Sequence, residues 1–152
     1  MENSSQPYKL ETFYKTKEGK NLGLSSTGMV VNSLKEGVWL DYYITGDIYS
    51  ETIFLKGERH GSSKIYYSSG KIWETGFYEE GFRDGLWNIY RKSGEIETQI
   101  SYKRGLFHGP YKEFHKNGNL KYFVNILNGE VSGIETRYSI SNKIMYETLY
   151  ID

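Results

Sequence analysis

The sequence predicts an all-β fold: an elongated, single-layer antiparallel meander of tandem 24-residue β-hairpin repeats. Three observations predict it. Glycine recurs with a 24-residue period, apolar side chains fall into columns of the same period, and the segments between glycines alternate in hydropathy with period two.

Taken in order, Met1 to Pro7 read as a loose leader and Tyr8 to Tyr14 as one extra strand, with a helix over residues 1 to 18 as the alternative. Gly19 and Gly28 keep the nine-residue spacing of the later units, and Val30 falls where Ile48 does. Gly37 then arrives six residues early, so 19 to 36 read as a shortened cap and 1–36 as an N-terminal segment. Residues 37–152 form five repeats, the last truncated. Gly37, Gly61, Gly85, Gly109 and Gly133 open them. Gly46, Gly70, Gly94 and Gly118 follow nine residues later, with Asn142 in the last unit, and Gly57, Gly81, Gly105 and Gly129 close the first four.

One apolar column reads Tyr42, Tyr66, Tyr90, Phe114, Tyr138. A second reads Ile48, Ile72, Ile96, Leu120, Ile144, and a third Phe54, Tyr78, Tyr102, Ile126, Tyr150. Alternation such as Ile96, Thr98, Ile100, Tyr102 marks the second half of each unit as a strand with one buried face. Ser69-Gly70, Ser93-Gly94 and Asn117-Gly118 put glycine where a tight turn needs positive φ, which makes each unit a hairpin. A lone hairpin is marginal in water, so the units must stack edge to edge and cover one another's strand edges.

These residues resemble MORN repeats, in the variant form of bacterial proteins of an antitoxin-like family. The pattern is G-x-W-x-x-Y-x-x-x-G-x-I, followed by an alternating strand that ends Y-x-x-G. Gly85, Trp87, Tyr90, Gly94, Ile96, Tyr102 and Gly105 match it in full, while Gly109, Tyr111, Phe114, Gly118, Leu120 and Gly129 match it with substitutions. The likeness covers 37 to 152. Ser63 and Glu135 stand where an aromatic is expected, and Ile126 replaces the closing tyrosine. The resemblance implies a grooved β-sheet used as a scaffold or binding surface. Some members are linked to membranes and some to toxin neutralisation, and no shared catalytic residues come with it.

A three-residue turn would pair Tyr42 with Ile48 and gather the Tyr42, Ile48 and Phe54 columns on one structural face; a two-residue turn would flip the first-strand columns. With the first register, the opposite face varies between units. It carries Tyr49, Glu51 and Ile53, then Trp73, Thr75 and Phe77, then Glu97, Gln99 and Ser101, joined by Asp41 and Tyr43, Ile65 and Tyr67, Ile89 and Arg91. Aromatics and arginine dominate interface hot spots. Tyr43, Tyr49, Tyr67, Trp73, Phe77 and Arg91 are therefore the candidate partner-binding residues. The rival reading is that Tyr43, Tyr67, Trp73 and Phe77 cover a shallow second core.

Composition removes other classes. The chain has 19 basic and 19 acidic residues, so it lacks the basic stripe that nucleic acid requires and the polybasic cluster that favours anionic membranes. Cysteine is absent, which excludes a thiolate metal site or nucleophile. No signal-like start or long apolar run occurs, and a cytoplasmic location is expected. His60 and His108 share a repeat position but stand roughly 19 Å apart at the strand spacing, too far for one zinc ion, so a turn-packing role is expected and no metal. Glu74, Glu79, Glu80, Glu95 and Glu97 read as a solvated acidic edge. The serines lack a nucleophile-elbow setting.

The reading is thus a non-enzymatic protein-binding module without catalytic residues or cofactor. Its partner is a protein, with a toxin as the partner the resemblance implies and an antitoxin or immunity role to match. The alternative is a structural or membrane-associated scaffold.

Overall fold

The structure, a computed structural model, describes residues 6–151. The expected loose leader lies mostly outside them. Twelve strands pair in strict chain order as one antiparallel sheet, with no helix among the described residues. The N-terminal hairpin is β1 (Tyr8–Lys15) and β2 (Asn21–Val31). The repeats follow as β3 (Leu34–Tyr42) with β4 (Ile48–Leu55), β5 (Glu58–Tyr66) with β6 (Ile72–Glu79), and β7 (Phe82–Tyr90) with β8 (Ile96–Lys103). They end with β9 (Leu106–Phe114) and β10 (Leu120–Leu127), then β11 (Glu130–Tyr138) and β12 (Ile144–Tyr150). The exposed surface, 10112 Å², exceeds the roughly 7,900 Å² of a compact globule of this mass, as an extended sheet must.

Two kinds of turn alternate. At the first, Tyr43 N donates to Asp47 O (2.8 Å) and Gly46 N to Tyr43 O (2.9 Å). Gly46 holds a φ of 94° and Asn142 serves the same position at 62°. This is the three-residue loop, and Tyr42 opposes Ile48. The second kind is a two-residue turn with both residues at positive φ, as at Lys56 (50°) and Gly57 (88°). Gly57 N also donates to Lys35 O on β3, one strand beyond the pair it joins (2.9 Å), and Gly81, Gly105 and Gly129 repeat the stitch to Arg59, Arg83 and Phe107.

Beside each three-residue loop one residue is bulged out. Tyr42 pairs with Ile48 but Asp41 pairs with Ser50, leaving Tyr49 unopposed; Trp73, Glu97, Lys121 and Met145 occupy the same place in later units. This bulge corrects the expected faces. Trp39 and Asp41 share a side with Ser50, Thr52 and Phe54, whereas Val38 and Leu40 share the other with Ile53 and Glu51. Tyr42 and Ile48 therefore do not line the core with Phe54. Asp41, Tyr43, Ile65, Tyr67, Ile89 and Arg91 leave the face assigned to them, because a one-residue slip inverts every side chain beyond it.

The core is a column on the first strands: Trp39, Ser63, Trp87, Tyr111 and Glu135. Each lies opposite a partner on the preceding second strand, and the pairs are matched in size. The Trp87 ring lies across Gly76, where a Cβ would come within 2.0 Å of it, and Trp39 lies across Gly28 at 2.3 Å. Gly28 thus sits in mid-strand beneath a ring, not in the turn that its nine-residue spacing implied. Thr52 faces Ser63, with their hydroxyls 3.1 Å apart, and Ile100 faces Tyr111. Each indole donates to a neighbouring carbonyl, Trp39 to Met29 O (3.1 Å) and Trp87 to Phe77 O (3.2 Å).

Candidate functional site

The six residues singled out from sequence divide between two places. Tyr43, Tyr67 and Arg91 occupy one repeat position, and each reaches the carbonyl of the residue 23 further on. Tyr43 donates to Tyr66 O (2.7 Å), Tyr67 to Tyr90 O (2.6 Å) and Arg91 to Phe114 O (2.6 Å); His115 continues the series to Tyr138 O (3.0 Å). This ladder ties each unit to the next along the three-residue-loop edge. Tyr49 and Trp73 are the bulged residues, packed edge-on or tilted against Tyr43 (5.1 Å) and Tyr67 (6.1 Å). Arg91 also donates to Glu97 (2.6 Å). These five share one rim. Phe77 does not: it lies on the opposite side of the sheet from Trp87, 42% exposed, with its ring 6.3 Å from His60.

Among the described residues no second layer covers the Trp face, yet Trp87 is 0% exposed. Its cover comes from its own face. The Arg83 guanidinium lies 3.9 Å above the indole, and Tyr78 and Tyr102 flank it at 5.0 and 6.2 Å. Lys35 stands over Trp39 (4.0 Å) and Phe54 (4.8 Å), and Arg59 over Tyr78 (5.5 Å). Lys35, Arg59 and Arg83 are one repeat position, so the first three units carry a cation lid over their rings. Arg83 is held there by a two-pronged pair with Glu74, at 2.8 and 2.9 Å. Glu74 is therefore buried in the core and not part of a solvated acidic edge. Glu79, Glu80 and Glu97 stand apart from it, beside His60, Arg104 and Arg91 respectively.

Phe107 and Val131 end the lid. Where the cation would continue, the face opens into a cleft of about 630 Å³ between β9 and β12. Phe107, Val124, Ile126 and Val131 form its apolar floor; Tyr111, Tyr122 and Tyr146 stand around it with Arg137, Glu113 and Lys121. Arg137 lies over Tyr122 (5.0 Å) and Tyr146 (5.5 Å) and donates through Nε to Glu135 (3.4 Å). Lys121 bonds Glu113 at 2.8 Å.

Burial, reinforced by Glu113, pushes the Tyr111 phenol up to about 12, and burial with Glu135 raises Tyr122. The Lys121 hydrogen bond holds Glu113 below the usual carboxylate range. At neutral pH the Tyr111 and Tyr122 phenols are thus uncharged and the Glu113 carboxyl is ionised. Sequence reasoning passed over this cleft, although one signal marks it: the Lys35, Arg59, Arg83 column turns to Phe107 and Val131.

His108 Nδ1 faces Asn128 N at 3.4 Å, a turn-packing contact that Glu36 and Asp84 make at the equivalent turns. Among the described residues no three His, Asp or Glu side chains cluster closely enough to hold a metal ion.

The family profile of the MORN repeat variant matches residues 59–80 and 107–125, along the β5–β6 and β9–β10 hairpins. No curated protein matches the chain. Repeats of this type generally serve as protein- or membrane-binding modules.

Proposed function

We propose that the chain is a non-catalytic binding module that takes a segment of another protein into the cleft between β9 and β12. The interruption of the cation lid supports this reading. Three units carry a cation over their aromatic face; in the last two the lid position is apolar and the face opens into a cleft lined by Phe107, Ile126 and Val131 with half-buried Tyr111 and Tyr122 and exposed Tyr146, the concave apolar setting in which binding sites form. Neutralisation of a toxin is one use of such binding, and the resemblance to antitoxin-like repeats motivates it. The test is affinity selection of displayed random peptides on the folded chain, with Tyr122→Ala and Tyr146→Ala as controls. Loss of capture in both, with circular dichroism unchanged, is the expected outcome; capture that survives both but fails in Trp73→Ala would move the site to the aromatic rim. Growth rescue on co-expression with a toxin encoded beside the gene would establish the neutralising role.

The outer edge of β12 favours a second reading, a self-assembling scaffold. Every residue of this strand is exposed, Met145 and Leu149 at above 60%, and Glu147 is its one charge. Uncovered edges of that kind invite strand addition. Sedimentation separates the two: a monomer at high concentration removes the scaffold.

A further inference from the structure

Resting on the binding role just proposed, we infer that the segment taken by the cleft is acidic: an apolar side chain flanked by a carboxylate that pairs with Arg137. The charges around the cleft decide this. Glu113 is already committed, to Lys121 at 2.8 Å and to the Tyr111 hydroxyl at 3.1 Å. Glu135 is 7% exposed and receives the Tyr150 hydroxyl (2.8 Å) together with Arg137 Nε. Neither carboxylate offers an open face to a cationic ligand.

The guanidinium of Arg137 is in the reverse position. Arg83 spends both terminal nitrogens on Glu74, and Arg91 spends its own on Glu97 and Phe114 O. Among the described residues Arg137 uses only Nε, its side chain is 51% exposed, and its guanidinium carbon stands 5.0 and 5.5 Å from the Tyr122 and Tyr146 ring centroids. A guanidinium held on aromatic rings with its two terminal nitrogens unused is preorganised for a carboxylate, which it meets with two parallel bonds. The floor beside it takes the apolar neighbour. The volume, about 630 Å³, falls in the range of roughly 300 to 1,000 Å³ typical of such sites.

The test uses the full chain with tyrosine ring protons observed by NMR. The probes are three blocked hexapeptides, Gly-Asp-Leu-Asp-Phe-Gly and its Asn and Lys counterparts at both Asp positions. The Asp peptide is expected to shift Tyr122 and Tyr146 and to bind at least tenfold more tightly than the Asn peptide, with the Lys peptide weaker still. Added salt should narrow the gap. Arg137→Gln should equalise the Asp and Asn peptides, and Arg137→Lys should retain part of the preference, with thermal midpoints recorded to confirm folding in both. Equal binding of Asp and Asn peptides, or no loss in Arg137→Gln, overturns the carboxylate assignment while leaving the binding role standing. Cleft shifts from phosphatidylserine vesicles but from none of the peptides would overturn it in favour of a lipid surface. Silence of the cleft tyrosines toward these probes and toward display-selected peptides removes both readings.

Discussion

The first three repeats and the last two share one backbone plan but finish their aromatic face differently. In the first group Lys35, Arg59 and Arg83 lie over Trp39, Tyr78 and Trp87, and both tryptophans are buried with no second layer among the described residues. In the second, Phe107 and Val131 hold the lid position, Tyr111 and Glu135 replace tryptophan, and the same surface becomes a cleft. Neighbouring hairpins are tied by the same turn stitches throughout, so stability and binding can be set independently by the side chains that each unit carries. Variation at these two columns changes a roofed face into an open cleft.

The comparison breaks most forcefully at Trp87. Trp87→Ala should cost about 3 to 5 kcal/mol in urea unfolding, because a wholly buried ring and its bond to Phe77 O are lost together. Gly76→Ala should cost about 3 kcal/mol in the wild type and far less in the Trp87→Ala background, since the clash at 2.0 Å is with that ring. A double-mutant cycle with no coupling would refute the ring-on-glycine rung.

Exchanging the lid residues sharpens the contrast. Arg83→Phe should destabilise by about 3 kcal/mol, as buried Glu74 loses both hydrogen bonds. Phe107→Arg should leave stability nearly unchanged while weakening peptide capture by the cleft about tenfold, because losing the apolar floor under the ligand's apolar side chain outweighs the added attraction for its carboxylate. Equal stability effects from the two changes would show that the lid is not what distinguishes the halves.

A smaller effect lies on the alkaline side. Tyr111 has its pKa raised from 10.0 to about 12, so folding favours the protonated phenol. That contribution is complete below pH 10 and is lost as pH rises through about 12. After discounting for solvent screening it should amount to about 1 kcal/mol, and Tyr111→Phe should abolish it in denaturation curves followed from pH 9 to about pH 12. The smallest effect is expected at the rim. Tyr67→Phe removes the 2.6 Å bond to Tyr90 O and should cost about 1 kcal/mol in thermal or urea unfolding without changing peptide capture. Loss of capture there would return the binding role to Tyr67 and Trp73.

The hairpin, its period and the glycine-bearing turn positions were readable from residue identity because their causes are local. Gly46 and Asn142 supply positive φ, Lys56-Gly57 suits a two-residue turn, and the alternating segments suit a half-buried strand. The faces were not readable. A residue bulged out at Tyr49 or Trp73 leaves no mark in a periodic pattern, yet it inverts the register of all that follows, and so Tyr43, Tyr67 and Arg91 passed from a presumed binding face to an inter-repeat ladder. The role of Gly28 was hidden for a related reason: its nine-residue spacing looked like a turn until the ring that needs its missing Cβ was seen, and Gly76, which carried no reading in sequence, plays the same part under Trp87.

By itself, then, the sequence determined an iterated antiparallel hairpin, since dihedral preference and two-residue alternation act within a few residues of the chain. Only the tertiary structure decided which side of the sheet is core, which rings are roofed and where the roof stops. Those outcomes depend on pairs such as Trp87 with Gly76, Arg83 with Glu74 and Arg137 with Tyr122, whose members come from different strands and meet only once the register is set.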